Sequence, residues 1–291
     1  MVILPDSLFA NDLAFSSTTL VTVGYNDTIF VSTDGRDWIN PETNPGTNVE
    51  FNGVSYGNSY FVAAGNSGTI IRSNNPGNSW EDVSPLTEGS HTYTHSLTDI
   101  AYGNGVFVAV GLWGQASIGL VLSSSDSGAT WTDTTPVEAP NFSSISFANG
   151  RFFAGTINWT LYTSTNGSNW EGPITASDSI SNNIVAVTYG NGLYMIADQY
   201  GNVATSTDGS TWEDLYGVAN QLDTTFRGFC FGKDRFALLS SYGSLLWPYN
   251  EYAWLFPGAV LPTPAGDGYT SITWVPWLGN GAFVVTQMAA L

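Results

Sequence analysis

A chain of 291 residues with 24 acidic and 6 basic side chains carries a formal charge of −18, which repels polyanions and sets nucleic acid and anionic membrane surfaces aside as partners. Only 10% of the residues are charged, and Gly, Ser, Thr and Asn abound, a composition that excludes a helical protein and predicts short strands joined by tight turns. The single cysteine, Cys230, excludes an intramolecular disulfide and reads as a buried thiol in an apolar run, and no apolar stretch reaches the length of a membrane span.

The first residues, Met1-Val2-Ile3-Leu4-Pro5-Asp6, lack a basic region and a long apolar stretch, so no signal peptide is expected. Downstream, one supersecondary unit returns along the whole chain. Its first strand ends in an aromatic, seven times over: Phe15, Tyr56, Tyr102, Phe147, Tyr189, Phe231 and Trp274. Two residues earlier stand the bulky Leu13, Val54, Ile100, Ile145, Val187, Phe229 and Ile272, with a small residue between, which is the period-2 alternation of a strand. A hairpin turn follows, clearest at Gly103-Asn104-Gly105 and Gly190-Asn191-Gly192, where Asn and Gly accept the positive φ that tight turns need. A second strand comes next, from Leu20 to Gly24 in the first unit and from Ala282 to Gln287 in the last. A third strand, such as Thr28 to Ser32, then runs into a short cassette whose tryptophan opens a fourth.

That cassette recurs six times with a period of roughly 42 residues, the mark of stacked supersecondary repeats. Its copies are built on Asp34 and Trp38, Asn75 and Trp80, Asp126 and Trp131, Asn166 and Trp170, Asp208 and Trp212, and a worn Asn250 and Trp254. A four-stranded meander with two apolar faces buries both when such sheets are arranged radially about an axis. The expected fold is therefore an all-β propeller forming a single domain over 1–291. Seven first and second strands against six cassettes imply seven blades, with six as the alternative, over about 8–44, 45–92, 93–138, 139–180, 181–222, 223–264 and 265–291 plus 1–7. The last blade is incomplete, and Val2-Ile3-Leu4-Pro5 is expected to close it.

The copy Ser124-Ser125-Asp126-Ser127-Gly128-Ala129-Thr130-Trp131 resembles the Asp-box, or bacterial neuraminidase repeat, Ser-x-Asp-x-Gly-x-Thr-Trp, at every fixed position. The resemblance covers nearly the whole chain. It implies a fold shared by sialidases, sortilin-type receptors, a photosystem II assembly factor and many phage and bacterial surface proteins. Physically, the Asp or Asn can accept turn N–H groups, the glycine can take the left-handed conformation, and the tryptophan can fill the gap between blades. These are structural roles, and no copy has the dense Asp spacing of a calcium loop, so no metal is expected there.

In a meander, the turns between first and second strands share one rim with the box turns, while the turns between second and third strands share the other with the links between blades. Ligands are expected at that second rim. Its candidate ligand-binding residues are Tyr25, Asn66, Trp113, Trp159, Tyr200 and Tyr242. Aromatics beside amides and hydroxyls suit a saccharide, and equally they can cover neighbouring loops or form a subunit interface. His91 and His95 are four apart without a patterned third ligand.

The resemblance to sialidases implies three carboxylate-clamping arginines and an Arg-Ile-Pro motif. The motif is absent, and of five arginines only Arg227 starts a first strand near the expected rim. Asp12, Glu50, Asp99, Asp198, Asp223 and Asp267 could reach that rim, but in an acidic chain such carboxylates are expected without a catalytic role.

The reading that follows is a non-catalytic binding or structural module with no catalytic residues, no cofactor and no metal. Its composition resembles that of repeat propellers in tailed-bacteriophage virions. That resemblance implies a multicopy tail, fibre or decoration component, made in the host cytoplasm and carried on the virion, binding a host surface glycan or other virion proteins. The alternatives are an assembly-factor-like scaffold gripping a protein partner and a glycoside hydrolase. Each box tryptophan buries about 200 Å2, so Trp131→Ala is expected to cost about 3–5 kcal/mol in a denaturant titration.

Overall fold

The computed structural model of the chain describes residues 2–3, 10–43, 46–85, 95–113, 118–215, 225–242, 245–250, 253–255, 268–278 and 281–288. Within them lie seven sheets and no helix longer than a turn. Their first strands are Ala10–Phe15, Phe51–Gly57, His95–Gly103, Phe142–Ala148, Ile184–Gly190, Phe226–Gly232 and Gly268–Val275. These strands touch in cyclic order, the seventh meeting the first, so the sheets are blades of a closed β-propeller around a central channel.

The core is divided among the gaps between blades. Seven apolar clusters form, each shared by two neighbours: Val21 and Ile71 join blades one and two, and Leu20 and Val284 join blades one and seven. Second strands are sandwiched on both faces, which is why Leu20–Gly24 is buried at every position and the alternation of the first strand gives way to a continuous apolar run. At the far end of the first strand in blades two to seven the aromatic pairs with an aromatic of the second, with ring centroids 4.6 Å apart for Tyr102 and Phe107 and 4.8 Å for Phe147 and Phe152, while in blade one Phe15 faces Leu20. The glycine after the aromatic receives the aromatic of the next blade. A Cβ on Gly57, Gly103, Gly190 or Gly232 would overlap the ring of Tyr102, Phe147, Phe231 or Trp274, respectively.

The boxes act as mortar. In four copies the turn glycine, Gly35, Gly128, Gly167 or Gly209, is left-handed with φ between 71 and 78° and donates its N–H to the box serine. The box carboxylate or amide accepts the next N–H groups, as Asp126 does from Ala129 and Thr130 at 3.0 Å each. The second copy departs from the expected geometry. Pro76 lacks an N–H and fixes its own φ, so the N–H groups of Asn78 and Ser79 go to the main-chain oxygen of Asn75 at 2.9 and 3.3 Å, and no left-handed glycine is needed.

Trp38, Trp80, Trp131, Trp170 and Trp212 each pack in the cluster between their own blade and the preceding one. Copy length sorts their indoles. In the two eight-residue copies Trp80 and Trp131 donate to the carbonyls of Pro76 and Gly128 at 3.1 and 3.2 Å. In the seven-residue copies the indole N–H groups of Trp38, Trp170 and Trp212 are buried without an acceptor among the described residues, so one extra turn residue is what brings a carbonyl into reach. The worn copy is different again: its backbone pairs Pro248 with Trp254 across a tight hairpin.

Two blades depart from the four-stranded plan. The first has three strands, its fourth reduced to one bridge between Val31 and Ile39. The seventh is closed by the N-terminal segment as expected, Val2 pairing with Val284 and Ile3 with Val285, but the pairing is parallel. A third strand of a meander would be antiparallel there. The direction follows from the route of the chain: this segment must end on the rim where the first blade begins, so it occupies the third strand's place while running in the fourth strand's direction. Leu4 and Pro5 lie outside the described residues. Deleting residues 1–6 is expected to lower the melting temperature measured by circular dichroism; an unchanged value would show that the closure contributes nothing.

Candidate functional site

Every first strand carries a β-bulge at the same place. The bulged residues are Asn11, Asn52, Thr98, Ser143, Val185, Arg227 and Thr270. A bulge inserts an unpaired residue and re-aims its side chain, here toward the channel and the next blade. Five of them reach a carbonyl there: Asn11 Nδ2 donates to Phe51 O at 2.9 Å, Asn52 Nδ2 to Leu97 O at 2.7 Å, Thr98 Oγ1 to Phe142 O at 3.1 Å, Ser143 Oγ to Ile184 O at 3.0 Å and Thr270 Oγ1 to Ala10 O at 2.7 Å. Val185 has no donor. The exposed guanidinium of Arg227 makes no hydrogen bond or ion pair among the described residues.

Five of the bulged residues, Asn11, Asn52, Thr98, Arg227 and Thr270, line a cup of about 650 Å3 at the mouth of the channel, on the rim that carries the turns between second and third strands and the links between blades. One wall, on blades one to three, is a closed polar network. Glu50 accepts from Asn11 at 3.0 Å and Asn66 at 3.3 Å, and the side-chain oxygen of Asn66 accepts from Asn52 at 3.1 Å and Ser96 at 2.7 Å. Asn66 is thereby a node of the wall, its amide spent on protein partners. The other wall has Arg227 on blade six.

Below the cup the channel narrows to a waist of about 250 Å3 that holds Asp12 and Asp99, at equivalent places on blades one and three. Asp12 accepts from Val54 N at 3.0 Å and from Ser271 Oγ at 2.9 Å, tying three blades together, and Asp99 accepts from Ile145 N at 2.8 Å and Ile100 N at 2.7 Å. Burial raises Asp12 to about 6, and burial together with the charge of Asp12 raises Asp99 to about 8. Both carboxyl groups are spent on bracing the ring. Asp198, fully buried, is likewise consumed by Ser181, Tyr200 and Asn202 in its own turn. Asp223 and Asp267 lie outside the described residues.

The turns of the same rim carry most of the exposed large apolar side chains among the described residues. Of eight such side chains, six lie in or beside the turns between second and third strands: Tyr25, Ile118, Ile157, Trp159, Tyr200 and Tyr242. Trp159, Tyr200 and Tyr242, exposed by 48, 57 and 64%, form an arc on blades four, five and six. Trp113 is the last residue of its strand, with its backbone paired to Ile118 and His95, and its side chain lies outside the described residues. His91 does too, while His95 is buried at the start of its strand. No group of three His, Cys, Asp or Glu side chains among the described residues could hold a metal ion. Cys230 is a free thiol, and burial pushes its pKa well above the usual range.

Trp159 has a second peculiarity. Its φ is 65°, in the left-handed region, at the turn position that Gly68 (φ 69°) and Gly201 (φ 82°) hold in blades two and five. For a bulky L-residue that conformation costs about 1–2 kcal/mol, and an exposed side chain does little to offset it. Neither this strain nor the cup was visible in the sequence. Alternation puts each bulged residue on the same face as the bulky residue two places later, inside the core, and only the bulge turns it to the channel.

The two sets of carboxylates respond to pH in opposite senses. A folded value above the ordinary 3.8 means that the native state favours the proton, so the contribution of Asp12 and Asp99 is complete below about pH 4 and lost as pH rises through 6 and 8. Asp126 behaves inversely. Burial opposes its ionisation, but bonds from the Thr130 hydroxyl and N–H, Ser124 and Ala129 outweigh it and hold the group at about 2, so its contribution is complete above 3.8 and lost as pH falls through 2. Urea unfolding is expected to give maximal stability near pH 4 and a decline on the order of a few kcal/mol toward pH 9, with Asp99→Asn flattening the alkaline limb. Stability rising steadily from pH 5 to 9 would contradict this assignment.

No protein-family model and no curated protein sequence matches the chain. Solved structures do match its shape. YCF48 bound to D1 peptide is similar with a TM-score of 0.70 and 18% identity, over 98% of this chain and 91% of that one. YCF48 from Cyanidioschyzon merolae gives 0.68 and 16% over 98% and 95%, and the WD40 β-propeller domain of Doa1 gives 0.70 and 9% over 96% and 89%. At these identities what is shared is the fold: the chain is a β-propeller, and its function must be argued from its own rim.

Proposed function

We propose that this chain is a non-catalytic binding propeller whose link-bearing rim captures an extended segment of a partner protein. The observation that carries the reading is that six of the eight exposed large apolar side chains among the described residues lie in or beside the turns of the rim on which a polar cup opens. Rigid aromatics present large contact area at low entropic cost, and the cup's amides, hydroxyls and single guanidinium give the polar groups that fix orientation. The strain at Trp159 supports the same place, since a stability cost without a packing return marks a residue kept for contact. The similar YCF48 structure is of that protein bound to D1 peptide, which supports a peptide as the class of occupant.

A saccharide is the second reading, favoured by the spacing of single aromatics on successive blades beside Asn and Ser side chains, which suits sugar rings. It belongs with a virion setting: tail, fibre or decoration copies would hold a host glycan at this rim and dock to neighbours through the box rim or outer edge, and the acidic surface would keep the assembly soluble. The support for that setting is compositional.

Trp159→Gly separates contact from structure. The substitution relieves the left-handed strain, so stability is expected to stay level or rise by about 1 kcal/mol while binding is lost. The immobilised chain is to be panned against a random peptide display library and a glycan array. Peptides held by the parent and lost in both Trp159→Gly and Tyr200→Ala support the first reading, and glycans behaving so support the second. Ligands indifferent to both substitutions, or a marked fall in melting temperature for Trp159→Gly, would overturn the role given to the rim.

A further inference from the structure

We infer that Arg227 is a carboxylate anchor in the wall of the cup, on the rim that carries the aromatic arc, and that it sets the polarity with which a bound peptide segment lies across the cup. The inference deepens the peptide reading above and rests on it.

The position is the argument. In five blades the bulged residue is short and polar and spends its donor on the next blade's carbonyl. In blade six the same backbone geometry presents an arginine, which has five N–H donors and nevertheless makes no bond among the described residues. The side chain is exposed and lines the cup. A planar guanidinium with unspent donors, in a cup lined on the far side by neutral amides and hydroxyls beside Glu50, is matched to a carboxylate in bidentate geometry.

The surroundings add direction. Glu50, the cup's opposing charge, sits on blade two, three places from blade six around a ring of seven and thus as far across the axis as the fold permits. Both of its oxygens are held by Asn11 and Asn66, which keeps the carboxylate on its own wall and away from Arg227. The cup is therefore dipolar. A segment that places a carboxylate on Arg227 presents its donors, main-chain N–H groups or a basic side chain, toward Glu50, and its apolar side chains fall on Trp159, Tyr200 and Tyr242. The reversed segment sets like charges against each other at both ends, which specificity by repulsion disfavours.

The carboxylate can be a free C-terminus or an acidic side chain, and three dipeptide probes distinguish them: acetyl-Asn-Trp with a free carboxyl end, acetyl-Asp-Trp-amide, and the uncharged acetyl-Asn-Trp-amide. Glucuronate serves as an acidic sugar probe. Titration of the full chain by ligand-observed NMR is expected to show one or both charged dipeptides binding about tenfold tighter than the uncharged one, with the preference shrinking as salt rises. Arg227→Gln brings the three to equal affinity, and Arg227→Lys, which keeps the charge and loses the fork, retains part of the preference. The stronger of the two charged dipeptides identifies the source of the carboxylate.

Equal affinities in the parent chain, no binding of any dipeptide, a preference that survives Arg227→Gln, or glucuronate binding in place of the dipeptides each overturns the inference. The broader reading fails separately. If Arg227→Gln changes nothing while Trp159→Gly still abolishes capture of library peptides, the anchor is wrong and the peptide-binding rim stands.

Discussion

The ring depends on one repeated constraint: a bulge in each inner strand, which in five of the seven blades turns a polar side chain onto a carbonyl of the next blade. Apolar burial between blades supplies most of the stabilisation, but it is non-directional and tolerates sliding of one sheet over another. A hydrogen bond of 2.7–3.1 Å from Asn52, Thr98 or Thr270 is worth only about 1 kcal/mol, yet it is directional and fixes the register of the interface it crosses. The bulge also dictates residues it does not contain. Opposite it, at the end of the second strand, a Cβ on Gly65 or Gly111 would run into the carbonyl of Glu50 or Ser96. Asp12 and Asp99, one residue after the bulge, then carry the bracing deeper, accepting N–H groups from Val54 and Ile145 of the following blades.

The box rim solves the same problem with different chemistry. There the turn between third and fourth strands is tied internally, serine to glycine and aspartate to the next two N–H groups, and its tryptophan is delivered to the preceding gap. The turns between first and second strands reach across as well: Asn104, left-handed at φ 50°, donates to the carbonyls of Gly150 and Thr165 in the next blade. That rim is thus consumed by holding the ring. Buried indoles without acceptors, at Trp38, Trp170 and Trp212, show that filling the gap outweighs satisfying one N–H.

The fold was legible because its signals are periodic. Bulky residues at Leu13, Val54 and Ile100, the aromatics two places on, and the boxes after them all repeat, and the count of first strands against boxes led to seven blades and to closure by Val2-Ile3, for which the structure supplies the parallel direction. The box tryptophans were read as gap fillers, and the five whose side chains are described, Trp38, Trp80, Trp131, Trp170 and Trp212, pack there. What was hidden is whatever breaks period: the bulge, which moves Asn11, Thr98 and Arg227 off the core face that alternation assigns them, and the second box, where Pro76 replaces the expected capping. Trp113 and Trp159 looked alike as turn aromatics. Only backbone geometry separates them, one ending a strand and the other occupying a glycine's conformation. Asn66 looked like a ligand-facing amide because sequence cannot show that Glu50, Asn52 and Ser96 converge on it.

The latches also mark where the ring can be interrupted for a partner. They run without a break from blade seven through blades one, two, three and four, to the carbonyl of Ile184 in blade five, and among the described residues they are missing on both sides of blade six, where Val185 has no donor and Arg227 spends none. Those two interfaces are held instead by apolar clusters such as Val203 with Phe226 and Leu239 with Tyr269, and by main-chain bonds from Phe226 N to Gln199 O at 2.8 Å and from Tyr269 N to Ser241 O at 2.9 Å. The same sector carries Tyr200, Tyr242 and the Arg227 guanidinium, and Trp159 stands on the neighbouring rim position of blade four. Residues that would have tightened the ring are replaced there by residues that face outward. A scaffold over-determined on five blades tolerates that exchange, and the exchange is what distinguishes this sector from the rest of a repetitive fold.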